Sequence, residues 1–377
     1  AEYGLLVPLM KKLLTRPSDF SLQLAVTGSH LSKHHGETKN LILSDGFSID
    51  AEIDIEQENC SSPTATAMSA GHGVSGFADA FARLSPHLVL IYGDRYEVLA
   101  SAMAAFLMGI PIGHIAGGDI TEGAFDDSIR HSLTKLAHLH FPTHDSAARR
   151  IIQLGESPER VFTVGSLGID VIRTVELLSK KAVESRLGFQ FRSTNYLITF
   201  HPVTLGRIPG EIQIGELLTA LDSLGPDTGL IFTAPNADPG EKAIREHLLS
   251  FVETHSNSCL HESLGQTLYL STMSYCNAVV GNSSSGIYEA PSLKIPTVNI
   301  GDRQAGRERA TSVIDCEPHA DTIKQALLLA LKHDCSGVAS PFGNGNAADL
   351  IVSHLAAISD FQTLLKKHFI DLDILHS

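Results

Sequence analysis

The sequence predicts an α/β protein of two doubly wound domains, and three observations predict it. Short runs of Val, Ile and Leu recur along the chain, each followed by small or polar residues and then by a helical pattern, which is the alternation of an α/β fold. The runs do not alternate apolar with polar positions, as expected of parallel strands buried on both faces beneath helices. The scheme occurs in each half of the chain, and 377 residues at roughly 150 per domain make two cores of comparable size.

In the first half the expected strands are Leu22–Val26, Leu88–Tyr92, Ile112–Ile115, Leu139–Phe141 and Val161–Val164, with helices over Leu5–Leu14, Thr64–Leu84, Tyr96–Leu107 and Asp127–His138. In the second they are Tyr196–Phe200, Gly229–Thr233, Ala278–Val280 and Thr297–Ile300, with helices over Ile212–Leu224, Glu241–Val252, Ser285–Ala290 and Asp321–Leu331. The domain boundary is expected after Gly165–Ser166, where the chain enters a charged helical stretch, Asp170–Arg186. That divides it into 1–166, 167–350 and a C-terminal helix within 351–377. The last amphipathic segment, Ala348–Phe369, can pack on either domain.

Composition narrows the function. Lys and Arg number 28 against 42 Asp and Glu, a net charge of −14, and 43% of positions are hydrophobic with a mean hydropathy of +0.08. A collagenous or disordered chain is excluded, and no apolar run approaches the ~20 residues of a membrane span. The acidic balance argues against nucleic acid as a partner while leaving room for a local phosphate site. The five cysteines, Cys60, Cys259, Cys276, Cys316 and Cys335, are scattered and show no metal-binding spacing. They read as thiols of a reducing compartment, so a cytoplasmic location is expected. The first residue is Ala1, and a preceding segment is expected to be missing from the sequence.

In open α/β sheets ligands bind beyond the carboxyl ends of the strands. The residues there are Gly28-Ser29-His30, Gly93-Asp94-Arg95, Ala116-Gly117-Gly118-Asp119, His201-Pro202, Pro235-Asn236, Gly281-Asn282-Ser283-Ser284-Ser285-Gly286 and Gly301-Asp302-Arg303. They gather hydroxyl, carboxylate, imidazole and guanidinium groups where structural turns need only Gly and a cap, and they point to a site between two domains. Gly281–Gly286 running into a helix suits a phosphate: small residues admit backbone N–H groups, hydroxyls add donors, and a helix N-terminus supplies positive potential. Read alone, it is equally a serine-rich cap. Arg303, Arg307 and Arg309 follow the next strand and can clamp a diphosphate, while Glu289 is placed to accept from ribose hydroxyls. The second cluster is acidic: Asp94, Asp119, Glu122, Asp126 and Asp127, of which one of the last pair serves equally as a helix cap. Carboxylates held together separate into a base and an acid, and His201, at a strand end, is placed to face them.

Other matches fail on context. Gly71–Gly76 fits GxGxxG but follows a helix, not a strand. Asn59-Cys60-Ser61 and Asn282-Ser283-Ser284 are glycosylation sequons of no meaning in a cytoplasmic protein, and Asp371-Leu372-Asp373 lies far from any strand end. Nineteen histidines include no HExxH, so no catalytic metal is expected.

Taken in order, the segments AEYGLLVPLMKKL, TGSHLSKHHGET, YGDRYEVLASA, HIAGGDITEGAFDDSIRHSLTKLAHLHF, TFHPVT, PNADPG and GNSSSGIYEAPSLKIPTVNIGDRQAGRERA resemble the hydrolysing UDP-N-acetylglucosamine 2-epimerases of sialic-acid-type sugar synthesis. The resemblance covers most of the chain. It implies two Rossmann-like domains facing across a cleft in a glycosyltransferase-B-like fold, with nucleotide on the second and sugar toward the first, and a C-terminal helix crossing back to the first. It implies elimination of UDP to leave a 2-acetamidoglucal, then addition of water to release the 2-epimer. On this chain Asp94 and Asp126 match acidic catalytic positions, His201 a histidine near the diphosphate, Ser283–Ser285 the phosphate loop and Glu289 the ribose contact. Ala116 stands where many relatives carry Glu, leaving that role to Asp119 or Glu122. The family's first strand and its arginine-bearing turn would precede Ala1.

The chemistry suits the residue types. A C2 hydrogen is a weak acid, so C1–O cleavage runs ahead of proton loss and cationic character develops beside carboxylates. Serines, arginines and His201 then stabilise departing UDP, and a carboxylate takes the C2 proton, with no cofactor. Ser29, His30, Arg95 and Asn236 complete the expected cleft. The first-choice substrate is UDP-N-acetylglucosamine, giving N-acetylmannosamine and UDP; the alternative is UDP-2,4-diacetamido-2,4,6-trideoxyglucose (UDP-N,N'-diacetylbacillosamine), on a legionaminic-acid-type route. A glycosyltransferase of the same fold, which requires an acceptor, and a non-catalytic nucleotide-sugar sensor are the competing classes, the crowded carboxylates arguing against the sensor. A homodimer is the expected assembly.

Overall fold

The computed structural model describes residues 2–32, 38–55, 63–120, 125–202, 208–235 and 240–371. The chain divides into two compact units, Ala1–Val171 with Gly345–Ser377, and Ile172–Asn344. Both are Rossmann-like.

The first unit opens with α1 (Glu2–Leu14), β1 (Ala25–Thr27), α2 (Lys39–Ser44) and β2 (Ala51–Ile53), with β1 parallel to β2. The long α3 (Pro63–Leu84) leads into β3 (Val89–Tyr92), α4 (Tyr96–Leu107), β4 (Ile112–Ile115), α5 (Phe125–Leu136), β5 (Leu139–Phe141) and α6 (Asp145–Gln153). β3, β4 and β5 form a parallel sheet in that order. Every residue of β4 and β5 is buried, as two-sided coverage requires. One covering layer joins Phe77, Phe81, Ala104 and Ile129 from the helices to Val89 and Ile112. The other joins Leu9 and Leu13 of α1 to Ile115, Phe141 and the returning residues Ile351, Val352 and Leu355.

α7 (Leu167–Thr174) carries the division between units, which falls within this helix rather than before it. The second unit continues with α8 (Lys180–Leu187), β6 (Thr194–Thr199), α9 (Gly210–Asp222), β7 (Thr228–Thr233), α10 (Glu241–Thr254), β8 (Ser258–His261), α11 (Gly265–Ser274), β9 (Ala278–Gly281), α12 (Ser285–Tyr288), β10 (Thr297–Ile300), β11 (Val313–Cys316) and α13 (Ala320–Ala330). Its strands form one parallel sheet in the order β8-β7-β6-β9-β10-β11. Counted from β6 this is 3-2-1-4-5-6, the dinucleotide-fold order, whose direction reverses between β6 and β9. Ile214, Leu217, Ile244 and Leu327 cover one face, and Val183, Leu187, Met273 and Ala290 the other.

Two expected elements need correction. Val161–Val164 is not a strand: after a single bridge to His140 it runs beside β5 through Phe162 N–H to His140 O and Val164 N–H to Pro142 O. Ala348–Phe369 is not one helix. α14 (Ala347–Ala356) ends ten residues after it begins, a short 3-10 turn covers Phe361–Leu364, and the chain then runs without regular structure. These described C-terminal residues belong with the first unit.

Candidate functional site

The reversal point of the second sheet brings the carboxyl ends of β6 and β9 together, and the sequence places His201 after one and Gly281–Gly286 after the other. Asn282, fully buried, ties them: its Oδ1 accepts from His201 N–H at 2.7 Å and its Nδ2 donates to His201 O at 2.9 Å. Its own carbonyl accepts from Arg303 Nη1 at 3.1 Å and from Gln304 Nε2 at 2.8 Å. Gly281 has φ +127°, and a Cβ there would lie 2.0 Å from Thr199 O, so only glycine lets the loop leave β9 this close to β6.

Ser283, Ser284 and Ser285 are half-buried at this turn. Ser285 Oγ meets the Tyr269 hydroxyl at 2.5 Å, and Ser283 Oγ accepts from Ser285 N–H at 3.4 Å. The expected helix Ser285–Ala290 is a single turn, α12, followed by a 3-10 turn over Ala290–Leu293 that holds Pro291. The capacity to hold an anion therefore rests on loop N–H groups and hydroxyls more than on a helix dipole, which accumulates with length. Glu289 closes that turn with its carboxyl turned inward, and burial pushes it up to about 7. Among the described residues its buried Oε2 has no hydrogen-bond partner, which suits it to accept from a ligand hydroxyl. Arg309 serves the scaffold: it pairs with Asp315 and donates to Gln304 O at 2.9 Å. Arg307 lies over the Tyr288 ring at 5.6 Å.

In the first unit the acidic residues collect around Arg130, a buried guanidinium on the second turn of α5. Its Nε donates to Asp94 Oδ2 at 2.8 Å and its Nη2 to the same oxygen. Its Nη1 donates to Asp119 O at 2.9 Å and Asp127 Oδ1 at 3.2 Å. On the far side of Asp119, His144 Nε2 lies 2.7 Å from Oδ1. The Asp94 turn is fixed from below by His114, wholly buried, whose Nε2 donates to Gly93 O at 2.9 Å. Burial pushes this imidazole down to about 4, so it is neutral and its donor tautomer is set by that carbonyl.

Asp94 and Asp119 thus come together, and Asp127, not Asp126, reaches the arginine; Asp126 is exposed on the first turn of α5. Arg95 turns to Glu97, donating from Nε at 3.1 Å and Nη2 at 2.8 Å. His30 Nδ1 is 2.7 Å from Thr38 Oγ1, and its ring stands edge-on to Tyr3. Glu122, Asn236 and the side chain of Ser29 lie outside the described residues. Among the described residues no group of three His, Cys, Asp or Glu side chains is placed to hold a metal ion.

Arg130, His144, Tyr269 and Gln304 were not among the sequence candidates. His144 stands three residues after β5, so the strand-end rule extended to that strand reaches it. Arg130 carries a weaker signal, the i, i+3 spacing from Asp127 on a helix that must bury one face.

Comparisons with known proteins identify the family. The sequence profile of the family described as UDP-N-acetylglucosamine 2-epimerase matches residues 12–356. The chain belongs to that family and is a hydrolysing UDP-sugar 2-epimerase. A Campylobacter jejuni relative, the GDP/UDP-N,N'-diacetylbacillosamine 2-epimerase (hydrolyzing), is 42% identical over 84% of this chain and 82% of its own. The polysialic acid biosynthesis protein P7 of Escherichia coli is 35% identical over 98% and 94%. Among solved structures, UDP-GlcNAc 2-epimerase from Neisseria meningitidis bound to UDP-GlcNAc superposes with a TM-score of 0.75 at 19% identity, over 94% of this chain and 96% of that one. No helix among the described residues is long and apolar enough to cross a membrane.

Proposed function

We propose that the substrate is UDP-2,4-diacetamido-2,4,6-trideoxyglucose, converted with water to the free 2-epimer and UDP through a glycal. The 42% identity to the Campylobacter jejuni enzyme, named for that sugar, favours it over UDP-N-acetylglucosamine, which stays as the second reading because the E. coli relative is named for polysialic acid synthesis. In the second unit Ser283–Ser285 hold the diphosphate, Arg303 and His201 support the departing UDP, and the open oxygen of Glu289 accepts from the ribose. In the first unit Asp94, held in place by Arg130, stabilises the developing cationic sugar, and Asp119 takes the C2 proton in place of the carboxylate missing at Ala116. Asp126 is the second acidic candidate. No divalent metal or organic cofactor is required.

The observation that carries an epimerase over a transferase is the arrangement of the Asp94 and Asp127 carboxylates and the Asp119 backbone carbonyl about one guanidinium, with the Asp119 carboxylate on His144. Such a group prepares carboxylates for charge stabilisation and proton transfer, which a transfer to an acceptor hydroxyl does not need in that number. The test is incubation with each UDP-sugar in D₂O without acceptor, followed by NMR. Free 2-epimer carrying deuterium at C2 is expected, fastest with the diacetamido sugar; UDP released only when an acceptor is added supports the transferase. The homodimer is proposed on the exposed α4 stripe of Met103, Phe106 and Leu107, and sedimentation of Leu107→Glu as a monomer, beside a dimeric parent, tests it.

A further inference from the structure

His144 does two jobs with one ring. It is the N-cap of α6 in extended conformation, and its Nδ1 accepts from Ala147 N–H at 3.3 Å. A nitrogen accepting that bond carries no proton, so the hydrogen is on Nε2, which donates to Asp119 Oδ1 at 2.7 Å. The ring therefore caps α6 through one nitrogen and donates to Asp119 through the other.

The surroundings fix that donor in space. Gly118 has φ +81°, and a Cβ there would lie 2.3 Å from Ala147 O, so the loop carrying Asp119 lies directly on the first turn of α6. Arg150, on the same helix, donates from Nη1 to Gly118 O at 3.1 Å. The carbonyl of Asp119 is held by Arg130 from α5. The His144 side chain is 4% exposed and that of Asp119 is 29% exposed, so the ring is locked in protein while the carboxylate remains open to a ligand.

We propose that His144 is a positioning residue for the epimerisation: it orients the Asp119 carboxylate. The proposal rests on reading Asp119 as the carboxylate that takes the C2 proton. A fixed N–H bonded to one carboxylate oxygen holds the group in place and directs the second oxygen. Its contribution is made in the reacting complex and not in nucleotide binding.

The two jobs separate by substitution. Asn is a strong N-cap and replaces the bond to Ala147 N–H, but it is too short to reach Asp119. His144→Asn should therefore keep the melting temperature, the UDP Kd and, within about threefold, KM, while kcat falls roughly 10- to 100-fold. If His144→Asn does not fold, His144→Gln carries the same comparison. Asp119→Asn should be slower still, and adding His144→Asn to it should change kcat by less than about twofold, because the bond has already lost its charged acceptor. Losses that multiply in the double variant, or a His144→Asn enzyme of parental kcat beside a slow Asp119→Asn, overturn the proposal. Asp119→Asn at the parental rate overturns instead the reading of Asp119 as the base, and this proposal with it.

Discussion

Arg130 ties together the carboxylates of Asp94 and Asp127 and the backbone carbonyl of Asp119. A buried guanidinium left without its carboxylates, or the reverse, is costly, and removing one partner of a buried pair commonly loses about 3–5 kcal/mol. Arg130→Met should therefore lower stability by about that amount in urea unfolding. Arg130→Lys keeps the charge but cannot give Asp94, Asp119 O and Asp127 their separate N–H groups; it should fold, bind UDP as the parent does, and lose roughly 10²-fold in kcat. A lysine variant at full rate would show that charge alone suffices. Glu289 makes the opposite use of burial. Its carboxyl, pushed up to about 7 in the fold from an ordinary value of 4.5, is neutral in both states at low pH. Stability is thus fully present below 4.5 and is lost as pH rises through 7, by something on the order of 3 kcal/mol. Glu289→Gln should flatten that slope in unliganded protein, seen as a melting temperature that no longer falls between pH 5 and 8. An unchanged slope would refute a buried, ionising Glu289.

At the scale of elements, the C-terminal segment is bound by a second charged network, separate from the one around Arg130. Glu156 accepts from Lys135 Nζ at 2.5 Å, lies 3.1 Å from His140 Nε2, and pairs with Lys367 Nζ at 2.7 Å, while Arg160 donates to Leu364 O at 2.7 Å. Burial alone raises its carboxyl, but the bonds from His140, Lys135 and Lys367 outweigh that and hold it at about 2. Because the shift is downward, its stabilisation is present above pH 4.5 and lost as pH falls toward 2. Glu156→Gln should expose the tail, measured as faster tryptic cleavage at Lys366 and Lys367, and a tail no more sensitive than the parent's would refute its role. None of this was legible in the sequence, where Ala348–Phe369 reads as one amphipathic helix. The apolar period continues past Ala356 because Leu364 packs into the same cluster as α14, although the backbone between them is not helical. The central strands β6, β7, β9 and β10 were legible as short, mostly apolar runs. β8 and β11 were not, since Ser258–His261 and Val313–Cys316 lie at the sheet edges and are mostly half-exposed. The glycine and serine turns that carry Gly281–Gly286 and Asp119 were legible for a related reason: a strand end with no spare volume admits few residue types. Their partners Arg130 and Tyr269 come from helix faces, where a polar side chain looks the same whether it points to solvent or to a site.

At the scale of the whole molecule, the two units differ in how the chain builds them. The second, Ile172–Asn344, is continuous and contains every strand of its sheet. The first needs the chain to return: Ala347, Ile351, Val352 and Leu355 of α14 share a cluster with Leu9, Leu13 of α1 and with Ile115 and Phe141 of the sheet. Asp170 seals the return, accepting from Ala347 N–H at 3.0 Å and Ala348 N–H at 2.7 Å, and so satisfying the start of α14 from the end of the first pass. Without α14 the face of β4 and β5 beside α1 is left partly uncovered, and Ile351, Val352 and Leu355, which each contribute roughly 1.5–3 kcal/mol on burial, are absent. A fragment of residues 172–344 should therefore fold alone, with a cooperative thermal transition, and should bind UDP with an affinity near that of the whole chain if the nucleotide is held by Ser283–Ser285 and Glu289. A fragment of residues 1–171 should not fold cooperatively, and joining residues 345–371 to it through a flexible linker should restore the transition. Calorimetry on the three fragments decides the matter. A cooperative melt from 1–171 alone would show that the returning helix is an accessory, and a failure of 172–344 to melt cooperatively would show that the second unit depends on the first.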